Sequence, residues 1–239
     1  MKKKVIKIAH LYYDLMNLYG ESGNVKALKK FIERQGCEAE IHFLTLGDEI
    51  DFEAYDFYYM GCGTEHSEEL VIRDLEKYRR DIINAIDDNK MFLITGNAME
   101  IFGKKIRYQN GKSKKCLGIF EYEAVEQKNI LISEIYYKYD KFPKEEGRFI
   151  LGFKNCTCNI LHNSERMFGF PNNFNRNNFY TMNFIGPFLV RNPYFTNMLV
   201  EKLFKQKGYE YTPITNTIEF TAYHKFVENF NLYDILDEE

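Results

Sequence analysis

The sequence predicts a three-layer α/β protein: a mainly parallel central sheet covered by helices on both faces. Three observations predict it. Strand-like and helix-like segments alternate over residues 5–95, as a series of βαβ units requires. Residues 55–60 and 91–95 are almost continuously aromatic or aliphatic, which suits strands covered on both faces. A glycine follows each of these two segments, Gly61 and Gly96, at the strand ends where open α/β sheets place their sites.

Each element has its own signal. Val5-Ile6-Lys7-Ile8-Ala9 reads as the first strand, and residues 18–24 as a loop with Ser22 as N-cap. Val25, Leu28, Phe31 and Ile32 recur at helical spacing until Gly36 closes that helix. Residues 40–44 alternate polar and apolar, as a half-buried strand does. After the aromatic strand, one long helix is expected from about Ser67, its stripe formed by Val71, Leu75, Tyr78, Ile82 and Ile86 and its exit by residues 87–89. Beyond Phe102 the pattern shifts: residues 131–136 and 148–153 read as strands, and residues 163–178 as a long loop. Asn192, as cap, and Pro193 open a helix with Phe195, Leu199 and Leu203 inside, ended by Gly208. A single domain over residues 1–239 is expected, with a helical extension from about 209.

Composition narrows the class. Of the 239 residues, 45% are hydrophobic and 28% charged, the balance of a water-soluble globular chain with a sizeable core. A net charge of -3, from 32 basic and 35 acidic residues, argues against nucleic acid as a partner. The five scattered cysteines do not form a disulfide framework. No apolar run suits a signal peptide or a membrane span, so the cytoplasm is the expected compartment.

Candidate chemistry gathers at the two glycine-bearing strand ends. A strand, a glycine and a helix in succession form the geometry of a nucleophile elbow, yet Gly96 offers no side chain there. Thr95 is the nearest hydroxyl, and strand alternation points it away from that site. Cys62, with His66 nearby in sequence, is either a reactive pair or a buried thiol before a solvent-facing histidine. Asn97, Glu100 and Asn155 either line a pocket or serve local hydrogen bonding. Cys156, Cys158 and His162 hint at a metal site but show no fourth ligand, so no metal is expected; His224 reads as a surface residue.

Several segments resemble class I glutamine amidotransferases of the CobB/CobQ type, as in cobyric acid synthase and the glutaminase subunit of lipid II isoglutaminyl synthase. Residues 93–103, Leu-Ile-Thr-Gly-Asn-Ala-Met-Glu-Ile-Phe-Gly, resemble the family's nucleophile elbow. Residues 10–24 resemble the opening of the isoglutaminyl synthase subunit, Gly61-Cys62-Gly63-Thr64-Glu65 the glycine loop that supplies backbone donors, and residues 152–155 a Gly-Phe-Glu-Asn segment with Lys154 in place of Glu. Residues 180–193 resemble the segment whose catalytic histidine directly precedes Gly-Pro. The resemblance spans about 8–205 and implies a flavodoxin-like amidotransferase fold. It places Gly96 at the catalytic cysteine, Glu100 at a glutamine and Ile185 at the histidine.

Glutamine hydrolysis in this family needs that thiolate, an imidazole and an oxyanion hole. The resemblance therefore implies a chain without glutaminase activity, using no cofactor, that acts as a partner or regulatory subunit of a Mur-ligase-like synthetase in cell-wall amidation. Two alternatives stay open: an active enzyme with Cys62 as relocated nucleophile, and a binding module for glutamine or another small molecule over Gly61, Gly63 and Gly96.

Overall fold

A computed structural model describes residues 4–139, 149–161 and 173–230. Its central sheet has six strands in the order β2-β1-β3-β4-β10-β9. These are β1 (Val5–Leu11), β2 (Glu38–Leu44), β3 (Phe57–Met60), β4 (Met91–Thr95), β9 (Asn173–Arg176) and β10 (Phe179–Met182). All neighbours run parallel except the edge pair of β9 and β10. Apart from that edge strand, the order is that of doubly wound flavodoxin-like sheets.

Alternation along the strands explains the layers. Phe57 and Tyr59 face one side with Ile6, Ile8, Met91 and Leu93, where they meet Val25, Leu28 and Phe31 of α1 (Ser22–Arg34) and Leu199 and Leu203 of α6 (Pro193–Lys207). Tyr58 and Met60 face the other with Phe92 and Ile94. There they meet α2 (Glu65–Leu75), α3 (Arg79–Asp87) and α4 (Ala98–Phe102) through Val71, Ile82 and Ile101. Tyr58 stacks on Phe92 with ring centres 4.6 Å apart, so the aromatic strand is a packing element between two helical layers.

A second sheet, ordered β6-β5-β7-β8, joins β5 (Lys105–Arg107), β6 (Ser113–Lys115), β7 (Glu123–Lys138) and β8 (Phe149–Leu161). The antiparallel pair β7 and β8 contains the two strands expected at 131–136 and 148–153, both longer than the sequence suggests and with a bulge after Glu126. The short helix α5 (Phe188–Arg191) precedes α6, and α7 (Ile218–Asn229) closes the described chain.

Several expectations need correction. Ser22 is the first residue of α1 rather than its cap; its amide is bound by the side chain of Asn17, 2.7 Å away. The helix expected as one piece begins at Glu65, capped by Thr64, and breaks at a 3-10 turn over Glu76–Tyr78. That tightened turn brings the Tyr78 hydroxyl to the Ile50 amide and the Asp48 carbonyl, each at 3.1 Å. Residues 173–176, read as loop, form β9 through backbone pairing with β10. Asn192 precedes α6, but its side chain caps nothing there; it bonds the Leu151 amide and carbonyl instead. His224 is half-buried rather than exposed, because α7 packs on α6 and the Tyr194 hydroxyl lies 2.9 Å from its Nε2. His162, Arg148 and residues 163–172 lie outside the described residues.

Candidate active site

The carboxyl ends of β1, β3, β4 and β10 converge on one edge of the sheet, where the chain makes four turns. At the heart of these turns lies Glu21, fully buried just before α1. Its Oε1 accepts from the Gly186 amide at 2.7 Å. Its Oε2 accepts from Thr95 Oγ1 at 2.6 Å, from Asn24 Nδ2 at 3.2 Å, and from the Tyr59 hydroxyl. Burial pushes the Glu21 carboxyl up to about 7, against these hydrogen bonds, which pull it down. Asn24 continues the network: Nδ2 reaches Tyr59 at 2.7 Å and Oδ1 accepts from the Leu189 amide at 2.7 Å. The segment over residues 18–24 thus braces the β3, β4 and β10 turns against one another. Thr95 is committed to this brace.

Gly96 follows Thr95 with φ +63°, the left-handed conformation of a strand-to-helix elbow. A β-carbon there would stand 2.6 Å from Cys62 Cβ and 3.2 Å from both Cys62 Sγ and Ile185 Cγ2. The space a side chain would claim at position 96 is therefore filled from two sides. Cys62 is 6% exposed, and desolvation pushes its thiol up to about 12, so it stays protonated at neutral pH. Its Sγ points to the Gly63 carbonyl at 3.8 Å, while His66 is solvent-exposed on α2.

Asn97 clasps the neighbouring loop from both sides. Its Oδ1 accepts from the Gly63 amide at 2.9 Å and its Nδ2 donates to the Gly63 carbonyl at 3.0 Å. The Gly63 amide is thereby spent on a side chain rather than offered to a ligand.

Above these turns lies a cleft of about 240 Å³, lined by Cys62, Gly63, Gly96, Asn97, Glu100, Asn155 and Ile185 among others. All the pocket candidates from the sequence meet here except Gly61, whose expected place in the pocket is corrected. Gly61 packs behind the cleft, where a β-carbon would fall 2.6 Å from Glu21 Cβ. Asn155 Nδ2 donates to the Tyr19 hydroxyl at 3.1 Å across the mouth. Sequence reasoning missed Glu21, Tyr19 and Asn183 as members of this region. Among the described residues, no three His, Cys, Asp or Glu side chains converge as a metal site would require.

The sheet order, the elbow after β4 and the cleft above it define the class: an amidotransferase-type α/β domain. Two solved structures of glutamine amidotransferases share the fold. One superposes with a TM-score of 0.53 at 12% identity, covering 84% of this chain and 98% of its own. The other, from Thermotoga maritima, gives 0.51 at 11% identity with 86% of each chain covered.

The chain belongs to the CobB/CobQ-like glutamine amidotransferase domain family, whose model matches residues 7–178. It is similar to the lipid II isoglutaminyl synthase (glutamine-hydrolyzing) subunit GatD of Staphylococcus aureus (strain N315), at 25% identity over 95% of this chain and 96% of that protein. The subunit of the same name from Streptococcus pneumoniae (strain ATCC BAA-255 / R6) is 26% identical, covering 84% of this chain and 82% of its own.

Proposed function

We propose that this chain is a glutaminase-type subunit without glutaminase activity, one that supports a Mur-ligase-like synthetase in lipid II amidation. One observation carries the reading: the elbow after β4 keeps its left-handed bend, but Gly96 brings no nucleophile to it and Cys62 and Ile185 occupy the room a nucleophile would need. Two further features support it. Ile185, in the place the resemblance gives to the histidine, cannot exchange a proton, and the Gly63 amide is held by Asn97. An attacking thiolate, a proton carrier and a free oxyanion donor would thus be missing together.

The partner role rests on the similarity to subunits named as parts of lipid II isoglutaminyl synthase and on the intact brace around Glu21. No helix among the described residues is long and apolar enough to cross a membrane. The chain would act in the cytoplasm.

The relocated-nucleophile reading has weaker support. Cys62 is near the elbow, but its thiol is buried, and among the described residues no histidine lines the cleft. The test is a sensitive glutaminase assay on the purified chain, alone and with candidate Mur-ligase-like proteins from the same host, together with co-purification. Complex formation without glutamine turnover is expected; turnover that disappears in a Cys62→Ser variant would overturn the proposal.

A further inference from the structure

The cleft's surviving chemistry is acceptor-rich. Asn183 lines it at 5% exposure, and its Oδ1 has no hydrogen-bond partner, while its Nδ2 is turned to Cys156 Sγ at 3.7 Å. Glu100 lines the same cleft at 8% exposure, and its carboxyl is bonded by the Cys158 thiol, a weak donor. Behind it on α2 stands Glu68, 3% exposed, with Oε1 unpartnered. Glu65 stands at the rim. Among the described residues, no Lys, Arg or His lines the cleft. Lys114 lowers both Glu68 and Glu100, yet burial dominates and drives the two carboxyls upward.

We infer that this cleft binds a hydrogen-bond-donating cation of the ammonium type, either free ammonium or the head group of a small primary amine, between Glu100 and Asn183 Oδ1. The inference rests on the reading that the site has ceased to hydrolyse glutamine, and it names what the emptied site takes instead.

The chemistry selects that ligand. A buried carboxyl and an orphaned carbonyl oxygen both gain from an N–H donor, and a positive charge relieves the cost of ionising Glu100 in a desolvated place. A carboxylate or phosphate ligand would meet like charge and, among the described lining residues, no cationic side chain. A divalent metal would want more oxygen ligands than converge among the described residues. The substitution of an acid for the amide that the family resemblance expects at position 100 has the same sense, since glutamine offers no charge to a cation.

The experiment uses the full chain in ammonium-free buffer. Thermal unfolding is followed with ammonium chloride, methylammonium chloride, potassium chloride and glutamine at matched ionic strength. Saturable stabilisation by ammonium or methylammonium beyond potassium is expected, and the larger response of the two tells free ammonium from an amine head. Glu100→Gln, which keeps the side chain's shape, is expected to weaken the apparent affinity at least ten-fold. Equal responses to potassium and ammonium in the wild-type chain, which need no variant, would overturn the inference. So would stabilisation by glutamine alone, or a folded Glu100→Gln chain that binds ammonium as the wild type does. Glutamine turnover would sink the functional reading while leaving the ammonium titration standing, so the two failures are separable.

Discussion

Restoring a cysteine at position 96 tests the packing of the elbow directly. The left-handed backbone at Gly96 costs an L-residue about 1–2 kcal/mol. Its new Cβ would meet Cys62 Cβ at 2.6 Å, closer than unstrained carbons come, and forced overpacking of this kind adds about 1–3 kcal/mol. Gly96→Cys alone should therefore lower stability by about 2–5 kcal/mol, the sum of the two terms. In a Cys62→Gly background the clash with Cys62 vanishes, and the backbone cost and the 3.2 Å contact with Ile185 Cγ2 remain. A double-mutant cycle by urea denaturation should show the two substitutions coupled favourably by about 1–3 kcal/mol, well above the few tenths expected of independent sites. Coupling within experimental scatter of zero would refute the claim that Cys62 crowds the side-chain space at position 96. The pair C62G/G96C should still lack glutaminase activity, since Ile185 carries no proton and Asn97 still holds the Gly63 amide; only a variant that adds both Ile185→His and Asn97→Ala is expected to turn over glutamine.

Three other outcomes follow from buried ionisable groups. Glu21, raised from 4.5 to about 7, contributes stability that is fully present below pH 4.5 and lost as pH rises through 7; the shift corresponds to roughly 3 kcal/mol. Glu21→Gln should lessen the fall in unfolding free energy between pH 5 and about 8, to which Glu68 and Glu100 also contribute, and a variant whose profile matches the wild type would count against the brace. His10 is fully buried on β1 among the rings of Tyr13, Phe43 and Tyr59, with neither ring nitrogen hydrogen-bonded, and desolvation lowers it to about 4. Its contribution is present above pH 6.5 and lost as pH falls through 4, so His10→Phe should raise stability at pH 4 relative to pH 7, by up to roughly 3 kcal/mol in chemical denaturation. Thiol labelling at neutral pH should reach half-buried Cys156 well before Cys62, with peptide mapping as the readout; faster labelling of Cys62 would revive it as a nucleophile.

The layers and most helices were legible because their signals are periodic and local. Residues 57–60 announce burial on both faces by having no polar member, and α1 and α6 by the spacing of Leu28 and Phe31 or Leu199 and Leu203. β9 was not legible, since Asn173-Phe174-Asn175-Arg176 lacks any strand pattern and is held by ladder bonds to β10. At the site, the residue types at positions 96 and 185 could be read directly, whereas the role of Glu21 could not. An acid at a helix start suits the dipole on the surface equally well; only the meeting of the β3, β4 and β10 ends buries it. The Asn97 clasp on Gly63 escaped for the same reason, being a bond across 34 positions of sequence.

The residues flanking Gly96 are both anchored by their side chains, Thr95 to Glu21 and Asn97 to Gly63. Curvature at this corner is thus inherited from the surrounding scaffold and does not depend on any reagent mounted there. A lineage could exchange its reagent while the corner stayed put, so a likeness of shape at this corner carries no information about the chemistry performed there.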